Sequence, residues 1–178
     1  MGPALEHPDR PAPASRPAPA GAAPGAQAGA AATAPRFRAL GIDECLDLLD
    51  RQQVGRLAYL LHGQVGIVPL HYVFADGWLY GRTQPGTKVT ALRHHPWVAF
   101  EVDEVAGPFD WRSVVVHGAF YLIERNGPQA ERARWARAVE LMRTLVPDTF
   151  TDADPTPGRD VLFRIHVGEL TGREARSR

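Results

Sequence analysis

The stretch VGRLAYLLHGQVGIVPLHYVFADGWLYGR, residues 54–82, contains three apolar-rich runs separated by turn residues. The runs cover 54–60, 65–74 and 78–82, which are lengths typical of β-strands. Asp76-Gly77, between the second and third runs, is a strong hairpin signal because both residues tolerate the positive φ angles of a tight turn. The stretch therefore predicts three consecutive antiparallel strands, as in a β-barrel or a β-sandwich.

The rest of the chain adds strands and a few helices. Apolar runs typical of strands lie at 97–102, 113–123 and 161–167, and helical spacing marks 42–53, 89–95 and 128–146. We therefore expect a mainly β fold: a β-barrel with peripheral helices, about six antiparallel strands and two or three helices. The sequence contains no βαβ repeat and no GxGxxG motif, which counts against a Rossmann dehydrogenase.

Composition narrows the class of protein. The 178-residue chain carries no net formal charge and one cysteine, Cys45, which counts against a nucleic-acid or membrane-surface binder and against a zinc site. Residues 1–35 hold eight of the sixteen prolines, so we expect a disordered Ala/Pro-rich tail, although a transit peptide is the alternative. No run suits a signal peptide or a membrane span. We expect a cytoplasmic protein with one domain at 36–173 and a polar tail at 174–178.

Residues 82–88, RTQPGTK, join the third strand to a predicted helix and point to a phosphate site. Lys88 lies in the first turn of that helix, where a cation is mildly unfavourable but an anion is readily bound. Arg82 and Thr83 precede the turn, and Thr87 is expected to cap the helix and to offer a hydroxyl group. The alternative is a solvated turn with a freely moving lysine.

Two other segments carry candidate site residues. Pro69 withdraws an amide donor within the second strand, so it marks an edge or a bulge whose free backbone groups could meet the polar edge of a flat ring. His71, two residues later, is the only catalytic candidate, and the alternative is a surface histidine on an edge strand. Arg112 and Ser113 open a very apolar strand and could add donors to a phosphate site. Cys45 is expected to be a small core residue, and His94 and His95 to complement a helix dipole.

The order and spacing of these segments resemble the pyridoxamine 5'-phosphate oxidase-like family, the FMN-binding split β-barrels. Within it, the nearest branch is the small bacterial flavin-binding proteins related to nitroimidazole-resistance reductases. The resemblance covers roughly residues 40–173 and rests on the segments VGRLA (54–58), IVPLHY (67–72), YGRT (80–83) with GTK (86–88), VAFEVD (98–103), WRSVVVHG (111–118) and LTGR (170–173).

The resemblance implies a homodimer that binds two FMN molecules at its interface. It implies that Lys88 contacts the FMN phosphate, with Thr87 as its polar neighbour and Arg82 and Thr83 at the strand end that lines the phosphate. It also implies a strand whose backbone faces the isoalloxazine ring, formed by Pro69, Leu70, His71 and Tyr72. Ser113 is implied to be a polar residue that reaches the cofactor from the fifth strand.

The sequence also departs from this family. Gly66 and Thr87 stand where arginines are expected, and a C-terminal substrate-binding Trp and Arg pair is not evident, which counts against vitamin B6 oxidation. The function expected is therefore a flavin-dependent oxidoreductase of small molecules. The alternatives are a non-catalytic flavin or haem binding or sensor module and a deazaflavin-dependent reductase. Substrate and electron donor stay open.

Overall fold

The computed structural model describes residues 34–177. Its strands are β1 (Arg36–Ala39), β2 (Val54–Leu61), β3 (Gln64–Ala75), β4 (Trp78–Thr83), β5 (Trp97–Gly107), β6 (Asp110–Leu122), β7 (Val161–His166) and β8 (Glu169–Arg176). Its helices are α1 (Ile42–Arg51), α2 (Thr87–His94) and α3 (Gln129–Leu145). The tail expected at residues 1–35 falls almost entirely on residues 1–33, which lie outside the described residues.

Six of the strands close into an antiparallel barrel. Going round it, β5 pairs with β2, β2 with β3, β3 with β4, β4 with β7, β7 with β6, and β6 with β5 again. β8 and β1 extend the sheet beyond β6. The prediction of a mainly β barrel with about six antiparallel strands and two or three helices is confirmed. It could be made from the sequence because hairpin signals and apolar runs dominate the pattern.

The long strand β6 pairs with two different strands along one edge. Its residues Asp110 to His117 pair with β8, whereas Phe120 to Leu122 pair with β7. The change of partner lies at Gly118, where an added Cβ would collide with the carbonyl oxygen of His166. Only glycine leaves room for this close approach, so Gly118 allows β7 to close the barrel while β8 extends the sheet.

Strand β8 corrects the expectation of a polar tail beginning at residue 174. Residues 169–176 pair with β6 on one side and with β1 on the other. Glu174 is only 4 % exposed, and its carboxylate accepts hydrogen bonds from Arg38 at 3.0 Å and from Arg112 at 2.6 Å. Ion pairing rather than apolar alternation fixes this strand, so a hydrophobic pattern could not predict it.

The helices pack against the sheet through their apolar faces. α1 buries Cys45, Leu48 and Leu49 on the barrel core, which contains Leu57, Tyr72 and Phe100 among others. α3 buries Ala138 and Met142 in a second cluster beside β4 and β7. Each fully buried large side chain of this kind stabilises the fold by roughly 1.5–3 kcal/mol. None of the helices among residues 34–177 is both long enough and apolar enough to cross a bilayer.

Candidate functional site

The loop between β4 and α2 presents the N-terminus of a helix without a side-chain cap. Gly86, not Thr87, is the capping residue, and Thr87 is the first helical residue. Gly86 has a φ of 144°, a conformation that favours glycine, and it offers no side chain to the first-turn N–H groups. No acidic residue lies in the first turn. These N–H groups and the helix dipole therefore favour an external anion.

Two cations lie beside this helix end. Lys88, in the first turn as predicted, is half-buried, and Arg159 enters from the loop before β7. Within residues 34–177, neither side chain has an acidic partner within ion-pair distance. Burial lowers the pKa of Lys88, and the charge of Arg159 lowers it further. Two cations near one another without a counter-ion are stabilised when an anion binds between them.

A cavity of about 260 Å³ lies at this point, which we call the loop cavity. Of the nine residues predicted to bind the cofactor, five line it together. Arg159 was not predicted, because only the pairing of β4 with β7, with Thr83 opposite Val161, brings residue 159 to the loop. The lining residues are Pro69, Leu70, Thr83, Gln84, Pro85, Gly86, Thr87, Lys88 and Arg159.

Arg82 is placed behind the cavity rather than in it. Its guanidinium donates to both carboxylate oxygens of Asp154, at 2.5 and 2.9 Å, and to the hydroxyl of Thr156 at 2.8 Å. These hydrogen bonds, together with backbone donors from Phe150 and Thr156, hold the pKa of the Asp154 carboxyl well below its usual range. Arg82 therefore fastens the 154–159 segment, which carries Arg159, to the end of β4.

Besides Arg82, three further predicted residues do not line the loop cavity. The Tyr72 ring is buried in the core, where its hydroxyl donates to the carbonyl of Leu49 at 2.7 Å, and burial raises the pKa of Tyr72. His71 is exposed and stands opposite Val54. The Ser113 hydroxyl donates to Glu101 Oε1 at 3.2 Å on the outer face of the sheet.

The edge of β3 is open where the sequence predicted it. From Gln64 to His71, β3 pairs only with β2 among the described strands, and its pairing with β4 begins at Tyr72. Pro69 therefore lies on an edge that does not need its missing amide. Since Pro69 and Leu70 also line the loop cavity, this open backbone edge runs into it.

Gly66 packs against Tyr59 at one position where an arginine was expected. The two residues are paired across β2 and β3. A Cβ added at Gly66 would lie 2.9 Å from Cζ of the Tyr59 ring. An arginine at position 66 therefore requires the tyrosine ring to move.

A second cavity, of about 290 Å³, lies between the β2–β3 turn and α2, and we call it the hairpin cavity. It shares one lining residue, Thr87, with the loop cavity. No group of three or more His, Cys, Asp or Glu side chains in the described part of the chain is arranged to hold a metal ion. The lining residues are Leu60, Leu61, His62, Gly63, Thr87, Thr90, Ala91, His94 and His95.

Comparison with known proteins agrees with this architecture. The model of the pyridoxamine 5'-phosphate oxidase family matches residues 42–174. The uncharacterised protein RA0666 of Rhizobium meliloti is 28% identical over 146 residues, which cover 78% of this chain and 95% of that protein.

Two solved structures of FAD-binding proteins are also similar. The protein mll6688 from Mesorhizobium loti superposes with a TM-score of 0.65 at 30% identity, over 79% of this chain and 99% of that one. The protein from Mycobacterium smegmatis gives a TM-score of 0.56 at 25% identity, over 78% and 98% of the two chains. With the family match covering the whole barrel, this chain belongs to the pyridoxamine 5'-phosphate oxidase family.

Proposed function

We propose that this protein binds FMN, with the flavin phosphate in the loop cavity, and that it is a flavin-dependent oxidoreductase of small molecules. The observation that carries the proposal is the pair of cations Lys88 and Arg159 at the uncapped N-terminus of α2, for which residues 34–177 supply no acidic partner. Membership of the family and the similarity to two FAD-binding proteins support a flavin as the ligand.

Each part of the cavity has a role in this proposal. Lys88 and Arg159 neutralise the phosphate, and the Thr83 and Thr87 hydroxyls and the first-turn N–H groups of α2 donate hydrogen bonds to it. Arg82 keeps Arg159 in place through Asp154. The open edge of β3 at Pro69 and Leu70 offers backbone groups to the polar edge of the ring. The flavin itself supplies the hydride or electron transfer.

The outer face of the sheet supports the proposal of a homodimer. Four large apolar side chains of this face lie in the open: Leu60, Val65, Ile67 and Trp97, the last of them 76% exposed. Register places them together, because Leu60 stands opposite Val65, and Ala58 stands between Ile67 and Ala99. A cluster of this kind on the open edge of β3 is typical of a surface that a second subunit covers. We propose that the covering subunit is another copy of this chain.

Turnover rests on the flavin rather than on a protein acid or base. His71 is exposed near the same edge and stays the single catalytic candidate. The glycine at position 66 counts against vitamin B6 oxidation, since an arginine there would require the Tyr59 ring to move. Cytoplasmic location also stays a prediction.

The experiment that tests the proposal is the visible spectrum of the purified protein, before and after titration with FMN. We expect a flavin band at about 450 nm that survives gel filtration. A Soret band would instead indicate haem, and a flavin-like band at shorter wavelength would indicate deazaflavin. Protein that stays colourless after titration would contradict flavin binding. Oxidation of NADH or NADPH by the loaded protein then separates an oxidoreductase from a carrier.

A further inference from the structure

A further cavity lies where β6 changes its partner from β8 to β7, and we call it the fork cleft. Its volume of about 340 Å³ lies within the range of roughly 300–1,000 Å³ that small-molecule sites occupy. The side chains that give it its chemistry are those of Trp97, His117, Tyr121, His166 and Glu169.

The fork cleft is separate from the loop cavity. The loop cavity lies at the end of the β4–β7 pair where Thr83 stands opposite Val161. His166, which lines the fork cleft, stands opposite Trp78 at the other end of the same pair. Five residues separate the two ends, which corresponds to about 16 Å of extended strand. A ligand in the fork cleft therefore leaves the proposed flavin phosphate site free.

Two of the rings that line the fork cleft are held in place from behind. Trp78 packs edge-on against Tyr121, with ring centroids 5.8 Å apart, and against His166, with centroids 4.9 Å apart. The guanidinium of Arg164 stacks 3.8 Å from the centre of the Trp78 ring and lies 5.9 Å from that of Tyr121. Trp78 also packs against the cluster beneath α3. Because these contacts fix the wall before a ligand arrives, binding orders few side chains.

The charge of the fork cleft selects the ligand. Within residues 34–177, its lining includes the carboxylate of Glu169 but no lysine or arginine. In the same range, Glu169 has no cation within ion-pair distance. Trp97 is 76% exposed and Tyr121 47%, and the faces of such rings attract cations and stack on flat rings. These features together favour an organic cation that carries an aromatic ring.

We propose that the fork cleft is a second ligand site, which binds a small organic cation with an aromatic ring. The ring stacks against Trp97 and Tyr121, and the positive group faces Glu169. His117 and His166 offer ring nitrogens for hydrogen bonds. The site uses none of the residues assigned to the flavin, so it does not rest on the proposed function.

The test is isothermal titration of the full-length protein with tryptamine and with indole-3-acetate, which share a ring and carry opposite charges. Tryptamine should bind with a Kd below about 1 mM and at least about tenfold more tightly than indole-3-acetate. Saturation of the protein with FMN should leave the affinity for tryptamine unchanged. Glu169→Gln should reduce the preference for tryptamine to less than about threefold.

Tyr121→Val removes one stacking ring with a residue that suits a strand, and it should weaken both ligands about 3- to 10-fold. Tyr121 is varied rather than Trp97, because Trp97 also lies on the face that we propose a second subunit covers.

Glu124→Gln is the matched control, since Glu124 is an exposed acid just beyond β6 that lies outside the fork cleft. It should change neither affinity. The proposal would be overturned if tryptamine bound no more tightly than indole-3-acetate, if Glu169→Gln acted no more strongly than Glu124→Gln, or if FMN displaced tryptamine. Failure of the protein to bind FMN would overturn the proposed function and leave the fork cleft standing.

Discussion

Arg82 and Asp154, 72 residues apart in the chain, form a two-point ion pair whose side chains are only 5% and 2% exposed. The pair joins the end of β4 to the segment that leads into β7. Because that segment also carries Arg159, the position of one cation of the loop cavity depends on an ion pair that does not line the cavity. Arg82 was expected to line the phosphate, and the structure gives it this supporting place instead.

Replacing Arg82 by alanine should destabilise the fold and weaken FMN binding together. A buried carboxylate left without its partner costs about 3–5 kcal/mol, measurable as a shift in urea unfolding. Thr156→Val, which removes only the hydrogen bond from the guanidinium to a neutral hydroxyl, should cost less, about 1.5 kcal/mol. The double variant Arg82→Met/Asp154→Leu should recover stability without recovering FMN affinity. Recovery of both would mean that the ion pair does not position Arg159.

The Arg82–Asp154 ion pair also predicts how the free energy of unfolding falls at acidic pH, which we call the acid limb. The folded pKa of Asp154 lies below that of the unfolded chain, so the unfolded state takes up the proton first as pH falls. Its contribution is complete above about pH 5 and is lost progressively below about pH 4. Asp154→Asn should therefore flatten the pH dependence of unfolding free energy in this window. Asp152→Asn, at an exposed residue two positions before Asp154, should leave the acid limb intact.

Lys88→Ala should weaken FMN binding about 10- to 100-fold, because a charge-assisted contact to phosphate contributes about 1.5–3 kcal/mol. Riboflavin, which has no phosphate, should bind both proteins equally. Isothermal titration with the two ligands measures the difference, and thermal unfolding confirms that the fold persists. Equal loss for FMN and riboflavin would place Lys88 against the ring or in the fold rather than at the phosphate.

Glu174→Gln should loosen β1 and β8 without opening the barrel. Burial by itself raises the pKa of Glu174, but hydrogen bonds from Arg112 and Arg38 outweigh it and hold the carboxyl ionised. Without the negative charge, three arginines, including Arg176 at 3.1 Å, lose their common partner. Amide hydrogen exchange should speed up in β1 and β8 only. Glu169→Gln, at an exposed position of β8, serves as the control.

Ile67→Glu should convert the proposed dimer to a monomer and reduce flavin retention, because a charge at the centre of the outer face opposes its burial. Light scattering at several concentrations gives the mass directly. Ile42→Glu is matched in chemistry and exposure, 70% against 66%, and lies in the first turn of α1, where an acid is tolerated. A wild-type monomer that retains flavin would refute the dimer.

Local signals predicted the parts of this protein that depend on local structure. The turn at Asp76-Gly77 has positive φ angles at both residues, and Lys88 lies in the first turn of α2, as the sequence indicated. Other features depend on pairing between distant segments. Arg159 reaches the cavity through the register of β4 with β7, and the partner of Arg82 is far downstream. The spacing of hydrophobic residues along the sequence does not show which distant segments pair.

Strand β7, which completes the barrel, also determines when the barrel can close during synthesis. β4 cannot pair with β7 until β7 has been synthesised, about 80 residues later in the chain. At usual elongation rates this delay is about 4–16 s. Until β7 is made, β4 presents an unpaired edge, and so does the far end of β6 once it has been synthesised; such an edge is a template for pairing with a neighbouring nascent chain. Codon choice or chaperone capture between residues 123 and 160 is therefore expected to govern the yield of native protein.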